Sequence, residues 1–220
     1  MAGELVKHME YYFDTEVALD AETLEREAAG EKITLSPENC KIITMQFQLL
    51  DSSGMPASPL MIMKEWETPG GEEGMIRRFM QENFSSNPWE FIPVGCNVLF
   101  DLGLLRGRAE EYGIEMGVWE LYHQRPFIDI KHILLGMNGF AFRESGLDKF
   151  CGKRNGREIP VWYQLAQKGD AEAYRWIEEY VEEEAAEFVA LYSRLKSELP
   201  KLRSAMGLFN GAGARKGTKN

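Results

Sequence analysis

From Ala173 to Leu199, apolar residues recur every three or four positions: Ile177, Tyr180, Val181, Ala185, Phe188, Tyr192 and Leu195. This spacing predicts one long helix, capped by Asp170, with a single apolar stripe facing the core. Upstream, the period shortens to two. Glu10–Val17 and Cys40–Leu50 read as strands rich in aromatic and β-branched residues. In the second strand, Ile42, Thr44, Gln46 and Gln48 alternate with Ile43, Met45, Phe47 and Leu49, so one face is more polar. Between these strands, residues 18–39 are polar and acidic, with helical potential from Glu22 to Ala29 and no assigned function. Asp51-Ser-Ser-Gly54 is a turn leading into a third strand, Leu60–Trp66, which forms an antiparallel hairpin with the second.

Beyond the break at Pro69-Gly-Gly71, Glu72–Phe84 is an amphipathic helix with Met75, Ile76, Phe79 and Met80 inward. Phe91–Cys96 is a short apolar strand suited to the centre of a sheet. It passes directly into a helix from Asn97 to Tyr112. Pro126–Leu135 reads as a short strand and then a helix that opens near Asp129. Ser145 caps a short helix to Phe150, and Pro160 opens another. Residues 152–159 form a Gly-containing loop with Lys153, Arg154 and Arg157. The order is strands, helix, strand, helix, then further helices. It predicts one domain over residues 1–206 and a flexible, basic, Gly-rich tail over 207–220. That tail is a solubilising extension or a phosphate contact.

Composition narrows the function classes. A net charge of −10 argues against a binder held to nucleic acid by a basic face. It is compatible with an acidic pocket for divalent cations. Cys40, Cys96 and Cys151 are odd in number and far apart, with no Cys/His ligand cluster. Zinc is therefore not expected, and a reducing compartment is. With no long apolar run and no leader pattern, the chain is expected to be cytoplasmic, with no membrane partner.

The acids carry the candidate chemistry. Glu184 lies inside the apolar stripe, one turn after Tyr180, whereas Glu178, Glu179, Glu182, Glu183 and Glu187 can face water. A buried carboxylate needs a metal ion or an Arg/Lys partner, or gives up its charge; otherwise Glu184 marks a solvated border of the stripe. Asp14 and Glu16 are two apart on a strand and share a face with Tyr12, opposite Phe13, Thr15 and Val17. They either bracket a cation or sit at an exposed strand end. Asn97 and Asp101 fall at a strand-to-helix junction, where catalytic groups commonly sit. A plain N-cap followed by a dipole-favoured acid is the alternative. Asp129 reads as an N-cap rather than a substrate contact.

In this order the acids resemble the DEDD superfamily of 3′–5′ exonucleases. Phe13-Asp14-Thr15-Glu16 looks like its first motif, D-x-E on strand one, and Asn97-Val98-Leu99-Phe100-Asp101 like its second, N-x-x-F/Y-D. Tyr180-Val-Glu-Glu-Glu184-Ala185 resembles the third motif of the tyrosine branch, Y-x-x-x-D-A, which includes the proofreading domain of family B DNA polymerases. The resemblance spans roughly residues 10–198. It departs at Glu184, where the family has Asp and Glu reaches about 1.5 Å further. His8, His123 and His132 read as surface or structural, and none stands where the histidine branch requires one.

The resemblance implies a ribonuclease H-like α/β fold with a five-stranded mixed sheet flanked by helices. It implies hydrolysis of phosphodiester bonds by two Mg²⁺ or Mn²⁺ ions about 4 Å apart, held by Asp14, Glu16, Asp101 and Glu184. Tyr180 would orient the attacking water, and Thr15 and Asn97 are candidates for substrate contact. The expected partner is a single-stranded nucleic-acid 3′ end, DNA favoured over RNA, with the chain acting alone or serving a separate polymerase or repair complex. A ribonuclease of the same fold and a degenerate, non-catalytic binding or scaffold protein are the other classes, the latter because of Glu184.

Overall fold

The computed structural model describes residues 8–84, 87–141, 146–152 and 156–205. The Ser145 cap, Lys153, Arg154, the side chain of Arg157 and the 207–220 tail lie outside the described residues. The chain runs β1 (Glu10–Leu19), α1 (Ala21–Ala28), β2 (Cys40–Leu50), β3 (Met61–Lys64), α2 (Gly71–Glu82), β4 (Ile92–Gly95), α3 (Val98–Glu111), β5 (Ile128–Asp129), α4 (Ile130–Met137), α5 (Ile159–Gln167) and α6 (Ala171–Ala205). The five strands form one mixed sheet in the order β3-β2-β1-β4-β5. β1–β2 and β2–β3 are antiparallel, while β1–β4 and β4–β5 are parallel. This is the ribonuclease H-like arrangement expected.

Period-two alternation sorts β1 onto two faces. Phe13 joins Met45, Phe47, Met75, Ile76, Phe79, Val98, Leu102 and Leu105, so α2 and α3 cover that side. Tyr12 faces the other way, into a cluster with Val94, Ile130, Ala185 and Phe188. On the same side, Ala18 meets Ile159, Tyr163, Ile177, Tyr180 and Val181. The helical layer there is α4, α5 and α6. No helix among the described residues is long and apolar enough to cross a membrane.

The alternation expected for β2 breaks at one place. Glu16 pairs with Thr44 and Val17 with Ile42, so Ile43 is an extra residue opposite the Glu16/Val17 step. A bulge of this kind shifts the side-chain phase. Ile42 thereby joins the Phe13 side and Ile43 the Tyr180 side, both fully buried. Other differences are local. β3 stops at Lys64 because Glu65–Glu67 turns into a 3₁₀ segment. Glu120–Gln124 forms one π-helical turn, anchored by buried Leu121, that no periodicity revealed. The short helix before Phe150 is a 3₁₀ turn, Leu147–Lys149. α6 continues through Pro200 to Ala205; proline forfeits one intrahelical hydrogen bond there, but its fixed φ is helical.

The sheet centre is tight where β4 leaves it. A Cβ built on Gly95 would stand 2.8 Å from the Phe13 carbonyl oxygen and 3.0 Å from Val98 Cβ. Both neighbours are held by the core, so Gly95→Ala forces the β4–α3 junction apart. The expected loss is about 1–3 kcal/mol. It should appear as a lower urea midpoint with an unchanged m-value.

Candidate metal centre

β1 and β4 differ in length, and this opens the site. The parallel pairing of β1 with β4 ends at Tyr12–Val94, yet β1 runs on through Leu19. The acids of β1 therefore lie beyond the end of β4, where the chain has already turned into α3. Asp101, in the first turn of α3, fills the vacated ladder position. It accepts hydrogen bonds from Thr15 N–H (3.2 Å) and Thr15 Oγ1 (2.7 Å).

On the other face, α6 lies antiparallel along β1. At one end Glu10 Oε2 accepts from Tyr192 Oη (2.8 Å) and Lys196 Nζ (2.6 Å). Midway, the Tyr12 and Phe188 rings are 4.9 Å apart. From Glu184 to Tyr192 the helix advances about 12 Å, and from Glu10 to Asp14 the strand advances about 13 Å. The match brings Glu184 to Asp14 and Glu16. One carboxylate oxygen from each of these three residues lies within 4.8 Å of the others.

Glu184 is 6% exposed and sits inside the buried stripe, not at a solvated border of it; Asp14 and Glu16 are half-buried. Tyr180 is 2% exposed and donates its hydroxyl hydrogen to Glu184. Burial first, then Glu184 and Glu16, hold that hydroxyl far above the usual phenol range, so it stays protonated. The Gly156 backbone lies against it: a Cβ there would be 2.7 Å from Tyr180 Oη. Tyr12 is pushed well up by burial and by Asp14. Its hydroxyl donates to Asp14 Oδ2 (3.3 Å), which also accepts from Gln46 Nε2 (3.1 Å).

Burial pushes the Asp101 carboxyl up to about 7, with the two Thr15 bonds opposing and the charge of Glu184 adding to the rise.

The donor set fits a hard divalent cation, which prefers carboxylate oxygen and water. Oxygens around one Mg²⁺ at about 2.1 Å are at most about 4.2 Å apart. Carboxylates already within 4.8 Å of one another reach that by side-chain rotation.

Asp14, Glu16 and Glu184 are thus brought together, with the Tyr180 hydroxyl on Glu184. Asp101 stands beside the group, turned toward Thr15. Thr15, expected at substrate, is buried and directs both its N–H and hydroxyl to Asp101. Asn97 occupies the cap position of α3 but does not cap it: its backbone is left-handed (φ 69°) and its side chain makes no cap bond. Its Oδ1 instead accepts from Lys131 Nζ (3.1 Å), and its N–H donates to Asp129 Oδ1 (2.8 Å). Left-handed geometry turns the Asn97 side chain away from the helix amides it was expected to cap. Asp129 does cap α4, accepting from Lys131 N–H (3.0 Å). Gln46 and Thr44 were not read as functional. Their signal was the polar face of β2, which the antiparallel register places opposite Asp14 and Glu16.

The same fold occurs in the family B DNA polymerase of the hyperthermophilic archaeon Pyrobaculum calidifontis, with a TM-score of 0.57 and 17% identity over 91% of this chain and 26% of the polymerase. It occurs in exonuclease I in complex with the inhibitor BCBP, at a TM-score of 0.54 and 13% identity over 91% of this chain and 44% of that one. It occurs also in Escherichia coli exonuclease I in complex with a dT13 oligonucleotide, at 0.53 and 12%, with the same coverage. The chain thus spans about a quarter of the polymerase's length and under half of exonuclease I's. At these identities the likeness is one of fold. No protein-family model and no curated protein matches the sequence.

The elevated Asp101 pKa sets a pH dependence. The folded state binds this proton more tightly than the unfolded chain, whose Asp titrates near 3.8. The resulting stability is complete below about pH 4 and is lost as pH rises through 7. In EDTA, the urea midpoint of Asp101→Asn should fall less than that of wild type between pH 4 and 7.5. Equal slopes would remove Asp101 as the source.

Proposed function

We propose that the chain is a metal-dependent 3′–5′ exonuclease acting on single-stranded nucleic-acid ends, with DNA favoured. The observation that carries this reading is the meeting of Asp14 and Glu16 of β1 with the buried Glu184 of α6, on a fold seen in a polymerase and in exonuclease I. The preference for DNA rests on those proteins, one of them solved with a dT13 oligonucleotide.

Asp14, Glu16 and Glu184 would hold one divalent ion, and Asp101, beside them, would contribute to a second. When bound, Mg²⁺ or Mn²⁺ supplies Lewis-acid stabilisation of the attacking and leaving oxygens. The remaining work belongs to the side chains. Tyr180 keeps its proton, so it cannot serve as a base; it donates to Glu184 and retains lone pairs with which to hold the water that adds to phosphorus. As the P–O3′ bond breaks, the terminal nucleotide leaves as a 5′-monophosphate and the strand gains a new 3′ hydroxyl. Asp101 must release its proton to join an ion, so divalent-ion affinity is expected to strengthen as pH rises. The ions also offset the clustered acids and let a chain of net charge −10 approach a polyanion.

The deciding experiment is a gel assay with 5′-labelled single-stranded DNA and RNA in Mg²⁺, Mn²⁺ or EDTA, beside Asp14→Ala. Shortening from the 3′ end should vanish in EDTA and in the mutant, and the preferred sugar is read from the same gel. Turnover surviving in Asp14→Ala would sink the site assignment. No cleavage by wild type would favour a scaffold that kept the fold and lost the chemistry.

Tyr180→Phe should lower kcat by roughly 10²-fold, the order of loss when a reacting group is misplaced by about an ångström, with a smaller effect on Mn²⁺ affinity. Unfolding of this variant would instead make Tyr180 a packing residue.

A further inference from the structure

The polar face of β2 has no part in the chemistry above, yet it is buried against the acids. Thr44 and Gln46 are both 0% exposed, in a chain whose other β2 side chains at that depth are apolar. Burying an amide and a hydroxyl is costly unless both are hydrogen-bonded. The partners here are each other and Asp14. Thr44 Oγ1 donates to Gln46 Oε1 (3.0 Å), and Gln46 Nε2 donates to Asp14 Oδ2 (3.1 Å). The ladder enforces the arrangement: Asp14 stands opposite Gln46, and Glu16 opposite Thr44.

We propose that Thr44 and Gln46 form a positioning relay that fixes which carboxylate oxygen of Asp14 is presented to a divalent cation. The inference rests on the metal-site reading above. Its direction follows from the donor inventory. An amide can face a carboxylate with its NH₂ or its oxygen, and only the NH₂ is attractive. The Thr44 hydroxyl occupies the Gln46 oxygen, so the NH₂ is left for Asp14. Together with the Tyr12 hydroxyl, it engages Oδ2 of Asp14.

The relay is neutral, and that matters. A Lys or Arg opposite Asp14 would also hold the carboxylate in place, but its positive charge would compete with the ion. An amide holds the geometry and leaves the negative charge in place for the cation. Partners behind the ligands of a metal site commonly tune affinity in this way.

The test is Mn²⁺ binding by isothermal titration calorimetry on the full chain, without substrate, with circular dichroism to check folding. Gln46→Met keeps the volume and removes both hydrogen bonds. It should weaken Mn²⁺ by about 10–100-fold, the usual loss for such a partner. Thr44→Val, of the same shape, frees the amide to rotate. It should weaken binding in the same direction by less, while Thr44→Ser, which keeps the hydroxyl, should restore wild-type affinity. If Gln46→Met does not fold, Thr44→Val and Thr44→Ser decide alone: equal affinities overturn the relay. Wild-type affinity in a folded Gln46→Met overturns it also, leaving the metal site intact. Absence of Mn²⁺ binding by wild type would overturn the metal site itself and this proposal with it.

Discussion

The antiparallel contact of α6 with β1 is the constraint on which the site depends. A helix and a strand advance at different rates per residue, so only certain pairs of positions can meet along their shared length. Three meetings set the register here: Glu10 with Tyr192 and Lys196, Tyr12 with Phe188, and the β1 acids with Glu184. The first two are ordinary attractive contacts. The third is repulsive in the absence of a cation, of order 3–4 kcal/mol for a pair of charges at this separation and an effective dielectric near 20. Burial of the α6 stripe opposes it. Each large apolar side chain removed from water contributes about 1.5–3 kcal/mol, and Ile177, Val181, Phe188 and Tyr192 are all buried. Packing therefore holds the acids where electrostatics would separate them.

The groups around the acids are chosen to keep that charge available. Tyr180 and Tyr12 donate hydroxyls, Gln46 an amide, and Thr15 a hydroxyl and an N–H. These are neutral donors that order carboxylates without cancelling them. The Arg108–Glu72 pair on the opposite side of the sheet is the contrast. There a guanidinium bonds both carboxylate oxygens, and Tyr112 Oη and Ile42 N–H also donate to Glu72. That acid is saturated by protein groups and ties α2 to α3 and β2.

The fold supplies the stage through unequal strand lengths. β4 is four residues long and β1 ten, so β1 projects past the point where α3 begins. Thr15 then has a backbone N–H with no strand to receive it, and Asp101 takes that hydrogen. The elevated pKa of Asp101 follows from its burial in this niche. The same topology serves many chemistries, so the case for a nuclease rests on the acids and Tyr180 rather than on the sheet order.

The sequence alone determined the elements and the membership of the stripe. Period-two and three-to-four-residue patterns are local consequences of backbone geometry, and β2, α2 and α6 lie where those patterns put them. Glu184 was legible as a member of the stripe, though not as buried, since the same pattern allowed a solvated border there; Asp14 and Glu16 were legible as neighbours because a strand puts alternate residues on one face. Tertiary structure decided what depends on contacts between distant segments: that Thr15 serves Asp101, that Asn97 turns away from the helix it was expected to cap, that a bulge at Ile43 reverses the phase of β2, and that Thr44 and Gln46 stand behind Asp14. Register, strand length and backbone handedness are set by the packing of whole elements, and no local pattern encodes them.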